Sequence, residues 1–366
     1  MEEKIKIEDL GYGPFFEASR NQLGLGNLPV ARVISERRGA YKIKGANGEC
    51  FAKITGKQMF SALSREDYPA VGDWVAVTEC DNGDAVIRGI LPRLTAIRRR
   101  HGDKNRVGEK NRIQIIATNI DVTFVVESVD RDYNLNRFER YFAIAKDGGV
   151  KYAVILNKID LLSAEELTEK LVQLVNRFPS IDVIPTSTAN KEGLDKLKIY
   201  IKKGRTYCFL GSSGVGKSSL INNLLGKNTI KTGDIGSYSG RGKHVTTSRQ
   251  MYFLENGGIV IDNPGMREVG MADVNQGIDA SFDEITALAQ KCKYADCTHV
   301  HEPACEVMNA VRTGKLDKGK YSNYINLKKE AKYYEMNDIE KREKKRQFGK
   351  FIKKAKKELK DIGHKN

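Results

Sequence analysis

Three short motifs, and above all their order, constrain this chain more than any other feature. Asn157-Lys158-Ile159-Asp160 comes first. The glycine loop Gly211-Ser212-Ser213-Gly214-Val215-Gly216-Lys217-Ser218 comes second, and Asp262-Asn263-Pro264-Gly265 third. Each ends an apolar run of strand length: Lys151 to Leu156, Arg205 to Leu210 and Gly257 to Ile261. A helical segment, Ser218 to Leu225, follows the glycine loop, which supplies the strand–loop–helix context such a motif needs. Alternating strands and helices predict a parallel sheet covered on both faces, with its loops at the strand C-terminal ends. In the common arrangement of such domains the glycine loop comes first and Asn-Lys-x-Asp late. Here the same kind of site is threaded in permuted order.

The residue types indicate the chemistry. Gly211 and Gly216 let backbone amides wrap phosphates, and the following helix N-terminus adds positive potential. Lys217 is expected to reach the outer phosphates and Ser218 to hold Mg2+, with Ser212, Ser213, Gly214, Val215 and Ser219 completing the cradle. Asp160 can accept two hydrogen bonds from a guanine ring nitrogen and amine, a donor pair adenine lacks. Asn157, Lys158 and Ile159 are expected to bind GTP alongside it. One helix later, Ile181 to Thr188 resembles the loop whose amides and serine touch the base, which marks Ser187 and Thr188. Asp262 is predicted to bind magnesium through water and Gly265 to offer its amide to the terminal phosphate. The polar stretch Gly240-Arg-Gly-Lys-His244-Val-Thr246-Thr247 suits a switch segment, and Thr246 or Thr247 is the second magnesium ligand. Met266 stands where many GTP-hydrolysing domains place a water-orienting glutamine. His244 is therefore the catalytic candidate, its alternative role being contact with RNA or phosphate. Together the three motifs predict GTP binding and hydrolysis.

Around this centre the chain divides by pattern. From Val30 to Arg99 five short strand-like runs (Val30 to Ile34, Tyr41 to Lys44, Cys50 to Ile54, Trp74 to Thr78, Ala85 to Ile90) alternate with turns, predicting a small barrel of oligonucleotide-binding or SH3-like type. Arg98 to Arg112 reads as a basic linker. Leu135, Phe138, Phe142 and Ala145 recur at helical spacing, and Ser163-x-x-Glu166 is a capping box. Near residue 300, Cys292-x4-Cys297-x-His299-x5-Cys305 gathers three thiolates and an imidazole, a set suited to one closed structural zinc site, with His301 able to replace His299. Between Lys341 and Lys360 lie eleven Lys or Arg against two Glu. Phe348, Phe351, Ile352, Ala355 and Leu359 interleave there at helical spacing, predicting a basic amphipathic helix for RNA or, alternatively, a membrane surface.

The net charge of +15 over 366 residues points to a polyanionic partner. No apolar run is long enough to span a membrane and the N-terminus lacks a secretion signal, so a cytoplasmic protein is expected. Cys50, Cys80 and Cys208 read as reduced, buried thiols.

The motif set resembles the circularly permuted GTPases of the ribosome small-subunit-dependent GTPase A family. Beyond the nucleotide motifs, Ala70-Val-Gly-Asp-Trp-Val75, Asn134-Leu-Asn-Arg-Phe-Glu-Arg140, Gly240 to His244 and Cys297-Thr-His299 are especially similar. Val245 and Asn263 depart from it, each standing where the family usually has threonine. The resemblance implies a multidomain fold. Residues 1–26 form an N-terminal extension, 27–100 an OB-type RNA-binding barrel and 101–118 a basic linker. A circularly permuted P-loop GTPase domain (119–275), an α-rich zinc-binding domain (276–340) and a basic tail (341–366) follow. It also favours His299 over His301 and supports His244. It further implies a monomer that binds GTP or GDP, the small ribosomal subunit and its rRNA during late subunit maturation, without stable membrane association, and hydrolyses slowly until the subunit stimulates it. A GTP-gated RNA-binding or chaperone protein with incidental hydrolysis is the alternative; a nucleoside kinase would need no guanine-reading loop.

Overall fold

A computed structural model of the chain describes residues 5–37, 39–79, 83–101, 112–130, 133–230, 249–263 and 274–363. The N-terminal lead, silent in the sequence, is a short turn at Ile7–Leu10 followed by helix α1 (Pro14–Gln22). Its Leu10, Tyr12 and Phe16 close over Trp74 and Leu91 as a small core, with the Tyr12 and Trp74 rings edge to face at 4.8 Å. The lead is thus a plug at one end of the barrel.

The barrel holds β1 (Val30–Arg37), β2 (Ala40–Gly45), β3 (Gly48–Ile54), helix α2 (Gly56–Ser61), β4 (Trp74–Glu79) and β5 (Ala85–Ile90). All five strands fall where the sequence predicts them, each at least as long as expected. β1, β2 and β3 form an antiparallel meander, and β4 pairs antiparallel with both β5 and β1, which closes the barrel. β3 runs parallel to β5. That parallel step fits the Greek-key barrel of the oligonucleotide-binding type and not a simple meander. Alternate residues such as Val33, Tyr41, Ile43, Val75, Val77 and Ile87 point inward and fill it.

Between barrel and central domain the predicted linker is partly a strand. β6 (Ala96–His101) and β7 (Arg112–Thr118) form an antiparallel ribbon, with Ile115, Ile116 and Ala117 buried. The charges of Arg98 to Arg112 masked the apolar run that follows them. Residues 102–111 of that linker lie outside the described residues. Arg32 fastens the junction. Fully buried, its guanidinium donates to the carbonyls of Leu10, Gly72 (3.3 Å) and Asn119 (2.9 Å), from the plug, the barrel and the approach to the central sheet. Burial pulls its pKa down to about 10.

The central domain contains β8 (Val122–Ser128), α3 (Leu135–Asp147), β9 (Lys151–Asn157), α4 (Ala164–Arg177), β10 (Val183–Pro185), α5 (Leu194–Tyr200), β11 (Thr206–Leu210), α6 (Lys217–Leu225), β12 (Gln250–Phe253) and β13 (Ile259–Asp262). The strands lie in the order β10-β9-β8-β11-β13-β12. Neighbours from β10 to β13 are parallel, and β12 is antiparallel. β11, which feeds the glycine loop, is inserted between strands made before it and after it. Beyond β12 the ladder continues into β1 of the barrel through Ser35 and Gln250, so one eleven-stranded sheet runs through both domains.

Strand alternation divides the interior into two cores. Phe124, Val126, Phe209 and Val260 face α5 and α6. Val125, Leu210, Cys208 and Ile261 face α3 and α4, in a core that also takes in C-terminal residues. The predicted capping box at Ser163 and Glu166 starts α4. The C-terminal helices are α7 (Asn275–Ser281), α8 (Asp283–Ala289), α9 (Glu306–Arg312), α10 (Lys318–Glu335) and α11 (Asp338–Gly363). α10 is tied to α3 by Glu139, which is buried and accepts from Asn323 and from Arg177 Nε (2.8 Å), and by the two-pronged pair of Arg140 with Glu330. The predicted basic helix is present as α11, where Phe348, Phe351 and Ile352 point outward. Among the described residues no helix is long and apolar enough to cross a membrane. Cys208 is fully buried, Cys50 only half-buried because it lies toward the open end of β3, and Cys80 lies outside the described residues.

Candidate nucleotide site and metal centre

Asn157 ends β9 with its side chain fully buried, and its Nδ2 donates to the Val215 carbonyl at 2.8 Å. The first motif is therefore bonded to the second, although 58 residues separate the two partners. Thr186 Oγ1 donates to Asn157 Oδ1 and fixes the amide's orientation. Gly216 must be glycine here, because it has φ +98° and a Cβ would lie 2.2 Å from Asn157 Nδ2. Lys158 occupies the left-handed region and its ammonium pairs with Asp130 at 2.6 Å. Ile159 is buried and anchors the turn, leaving Asp160 exposed. One Asp160 oxygen accepts from Ser187 Oγ, which itself accepts from the amides of Ala189 and Asn190. Thr188 is half-buried in the same loop. These contacts hold the exposed carboxylate in one orientation.

At the other end, Gly211 and Val215 are buried and Ser213 and Gly214 are exposed, so the loop is anchored at its base and open at its crest. A Cβ on Gly211 would lie 2.2 Å from the Val126 carbonyl, which means β8 packs directly on the loop's start. Lys217 opens α6, and its ammonium turns back onto the Gly211 and Ser212 carbonyls at 2.7 and 2.6 Å. Burial lowers its pKa to about 8, against the opposing fields of Asp262 and Glu127. Ser218 and Ser219 are half-buried in the first turn. Asp262 is buried at the end of β13; burial raises its pKa and Lys217 opposes the rise. Asn263, the departure from threonine, donates to Cys208 Sγ at 2.9 Å. Of the predicted site residues, Gly265, His244, Thr246 and Thr247 lie outside the described residues, as do Val245 and Met266.

Three contributors escaped sequence reading: Thr186, Asp130 and Tyr141 of α3, whose phenol lies near Ser212. Thr186 adjoins a recognised motif and was the one within reach. The other two come from the loop after β8 and from α3, whose proximity to the glycine loop depends on strand order.

In the C-terminal domain the ligand atoms of Cys292, Cys297, His299 and Cys305 all lie within 4.8 Å of one another, and this set can hold a metal ion. His299 Nδ1 is 3.6 Å from Cys292 Sγ and 3.5 Å from Cys305 Sγ, and those two sulfurs are 3.9 Å apart. His301 is exposed and outside the cluster. Tyr321 of α10 donates to the His299 carbonyl at 2.7 Å, which joins the Cys and His loop to the long helix.

A family model described as RsgA GTPase matches residues 90–272. The small ribosomal subunit biogenesis GTPase RsgA 2 of Lactiplantibacillus plantarum is 40% identical over 324 residues, covering 87% of this chain and 89% of that protein. The chain belongs to the RsgA GTPase family. RsgA 1 of Bacteroides thetaiotaomicron is 35% identical over 332 residues, covering 90% and 91% of the two chains. Among solved structures, YjeQ from Thermotoga maritima superposes with a TM-score of 0.61 at 25% identity, covering 82% of this chain and 96% of that one. YloQ, a circularly permuted GTPase, gives 0.59 at 18% identity, covering 85% and 97%, and shares the fold. An ABC transporter model also matches residues 194–356. That span includes the glycine loop common to both classes but leaves out Asn157 to Asp160, so the RsgA match accounts for more of the site.

Proposed function

We propose that this RsgA-family GTPase binds guanine at Asn157, Lys158, Ile159, Asp160, Ser187 and Thr188, and the phosphates on Gly211 to Ser219, with Gly265 closing the site. The observation that carries this reading is the buried bond from Asn157 to the Val215 carbonyl, which fixes the spacing between base end and phosphate end. Ser218, Asp262 and Thr246 would hold magnesium, which neutralises phosphate charge when bound. Lys217 would leave the Gly211 and Ser212 carbonyls for the outer phosphates, a short move that restores a buried ammonium's charge partner. His244 would orient the attacking water, since Met266 has no group to do so.

Hydrolysis serves small ribosomal subunit biogenesis, as the relatives' names state for them. In this reading a monomeric, cytoplasmic protein meets rRNA through the barrel and the basic α11. GTP favours the bound state, and the subunit orders the catalytic segment. Zinc would sit in the Cys292, Cys297, His299, Cys305 cluster. A tetrahedral ion at thiolate and imidazole bond lengths needs sulfurs roughly 3.8 Å apart and sulfur to nitrogen roughly 3.5 Å, close to the spacings present. Four protein ligands leave no open position, so the metal stabilises and does no chemistry.

The test is GTP turnover by the purified chain alone and with small subunits, large subunits or free RNA. Stimulation by small subunits only is the expected result, and His244→Ala should abolish it while nucleotide affinity stays. Equal turnover under all conditions, with affinity for RNA that depends on nucleotide, would favour a GTP-gated RNA-binding or chaperone protein instead.

A further inference from the structure

Glu127 is fully buried, yet it stands beside the glycine loop. β8 and β11 pair in parallel with Val125 opposite Leu210, so Glu127 lies level with Ser212, two residues further along each chain. Val125 and Leu210 belong to the core under α3, whereas Val126 belongs to the opposite core, so strand alternation turns Glu127 toward α3. There Arg137 Nη1 lies 4.0 Å from Glu127 Oε2, and the Arg137 side chain is 37% exposed. One helical turn later, Tyr141 lies near Ser212. Buried carboxylate, half-open guanidinium and loop therefore converge at one end of the phosphate cradle.

We propose that Arg137 contacts the terminal phosphate of bound GTP from within the same chain, with Glu127 as the positioning residue that holds its guanidinium at the loop. Three observations lead there. The Lys217 ammonium, the group that reaches outer phosphates, rests on the Gly211 and Ser212 carbonyls, so the terminal-phosphate end of the cradle is the end that α3 touches. A buried carboxylate next to an arriving triphosphate is strongly unfavourable unless a cation offsets it, and Arg137 is the guanidinium paired with Glu127. A guanidinium carries five donors in a rigid fork, so one edge can stay on Glu127 while another takes a phosphate oxygen. GDP has no terminal phosphate, so the contact discriminates between the two nucleotides. The same helix carries Glu139 and Arg140, which are bonded to Asn323 and Glu330 of α10. A phosphate acting on Arg137 therefore acts on the helix to which the C-terminal domain is joined.

The inference rests on the glycine loop being the nucleotide site, and the experiment separates the two. Affinities of the full chain for GDP and for a non-hydrolysable GTP analogue are measured for wild type, Arg137→Gln, Glu127→Gln, the double variant and Lys217→Ala. Arg137→Gln should lose about tenfold or more in analogue affinity while GDP affinity stays within about twofold, as expected for one charge-assisted contact. The double variant should remain weak for the analogue. Equal losses for both nucleotides would overturn the proposal. So would recovery of analogue affinity in the double variant, because Arg137 would then only neutralise Glu127. If Arg137→Gln fails to fold, Arg137→Lys gives the same reading: a lowered analogue-to-GDP affinity ratio supports the contact and an unchanged ratio refutes it. Unaltered binding of both nucleotides by Lys217→Ala would instead refute the nucleotide-site reading itself.

Discussion

The two faces of the central sheet are built to different plans. The face under α5 and α6 is private. Phe124, Val126, Phe209, Leu220 and Ile221 pack almost entirely within the nucleotide domain. The face under α3 and α4 is shared. One continuous core runs from Ile34, Val71 and Ile97 near the barrel, through Val125, Phe138 and Phe142, to Ile285, Val307 and Leu327 of the C-terminal helices. The private face supports the helix that follows the glycine loop and keeps that loop's base fixed. The shared face supports α3, whose Tyr141 lies near the loop and whose Glu139 and Arg140 are bonded to the C-terminal domain. A nucleotide-driven shift of α3 would therefore be felt in three regions at once, because a close-packed core transmits displacement instead of absorbing it.

The largest expected effect comes from emptying the proposed metal site. Chelation, or Cys305→Ser, should unfold the packing of α8, α9 and α10 at a cost above about 3 kcal/mol. Hydrogen exchange would show lost protection in those helices and on α3, with α6 amides unchanged. Loss spread evenly over both faces would break the comparison. Next come Phe138→Ala on the shared face and Phe209→Ala on the private one, both fully buried. Each should cost about 3–5 kcal/mol, measurable by denaturant unfolding. The difference lies in reach: Phe138→Ala should also loosen the C-terminal helices, and Phe209→Ala should not.

The smallest effect concerns pH. Burial holds the Lys217 ammonium at about 8, and the phosphates of a bound nucleotide would raise it. Affinity is therefore full below that value and falls as pH rises through it, because binding must then take up a proton. The slope approaches about tenfold per pH unit. Calorimetry in buffers of different ionisation enthalpy should detect that uptake near about pH 9, and Lys217→Arg should remove it. Binding without proton uptake in the wild type would show that the free loop keeps its lysine charged.

What was legible in the sequence follows from locality. The glycine loop, Asn157 to Asp160, the Cys and His cluster and the barrel strands are short segments whose spacing carries their geometry, and each lies where it was predicted. The Asn157 bond to Val215, the Asp130 clip on Lys158 and the meeting of Glu127, Arg137 and Tyr141 at the loop depend on which strands become neighbours. Pattern gives the strands but not their order. β12 was missed because four residues with two polar flanks carry little periodicity, and it gains its place from β13 and β1. Arg32 shows the same limit from the other side. A charged residue in a strand reads as outward-facing, and only the three carbonyls brought around it explain its burial.

That guanidinium also sets a timetable for synthesis. Arg32 and its acceptor at Asn119 are 87 residues apart. At ~5–20 residues per second, the second leaves the ribosome roughly 4 to 17 seconds after the first. Only in the last part of that interval, after Ile90, are the barrel strands complete in sequence, and until Asn119 follows, the charge at their junction lacks its last acceptor. The first domain to emerge therefore has two of the three acceptors of its buried charge, and gains the third only when translation reaches the central domain.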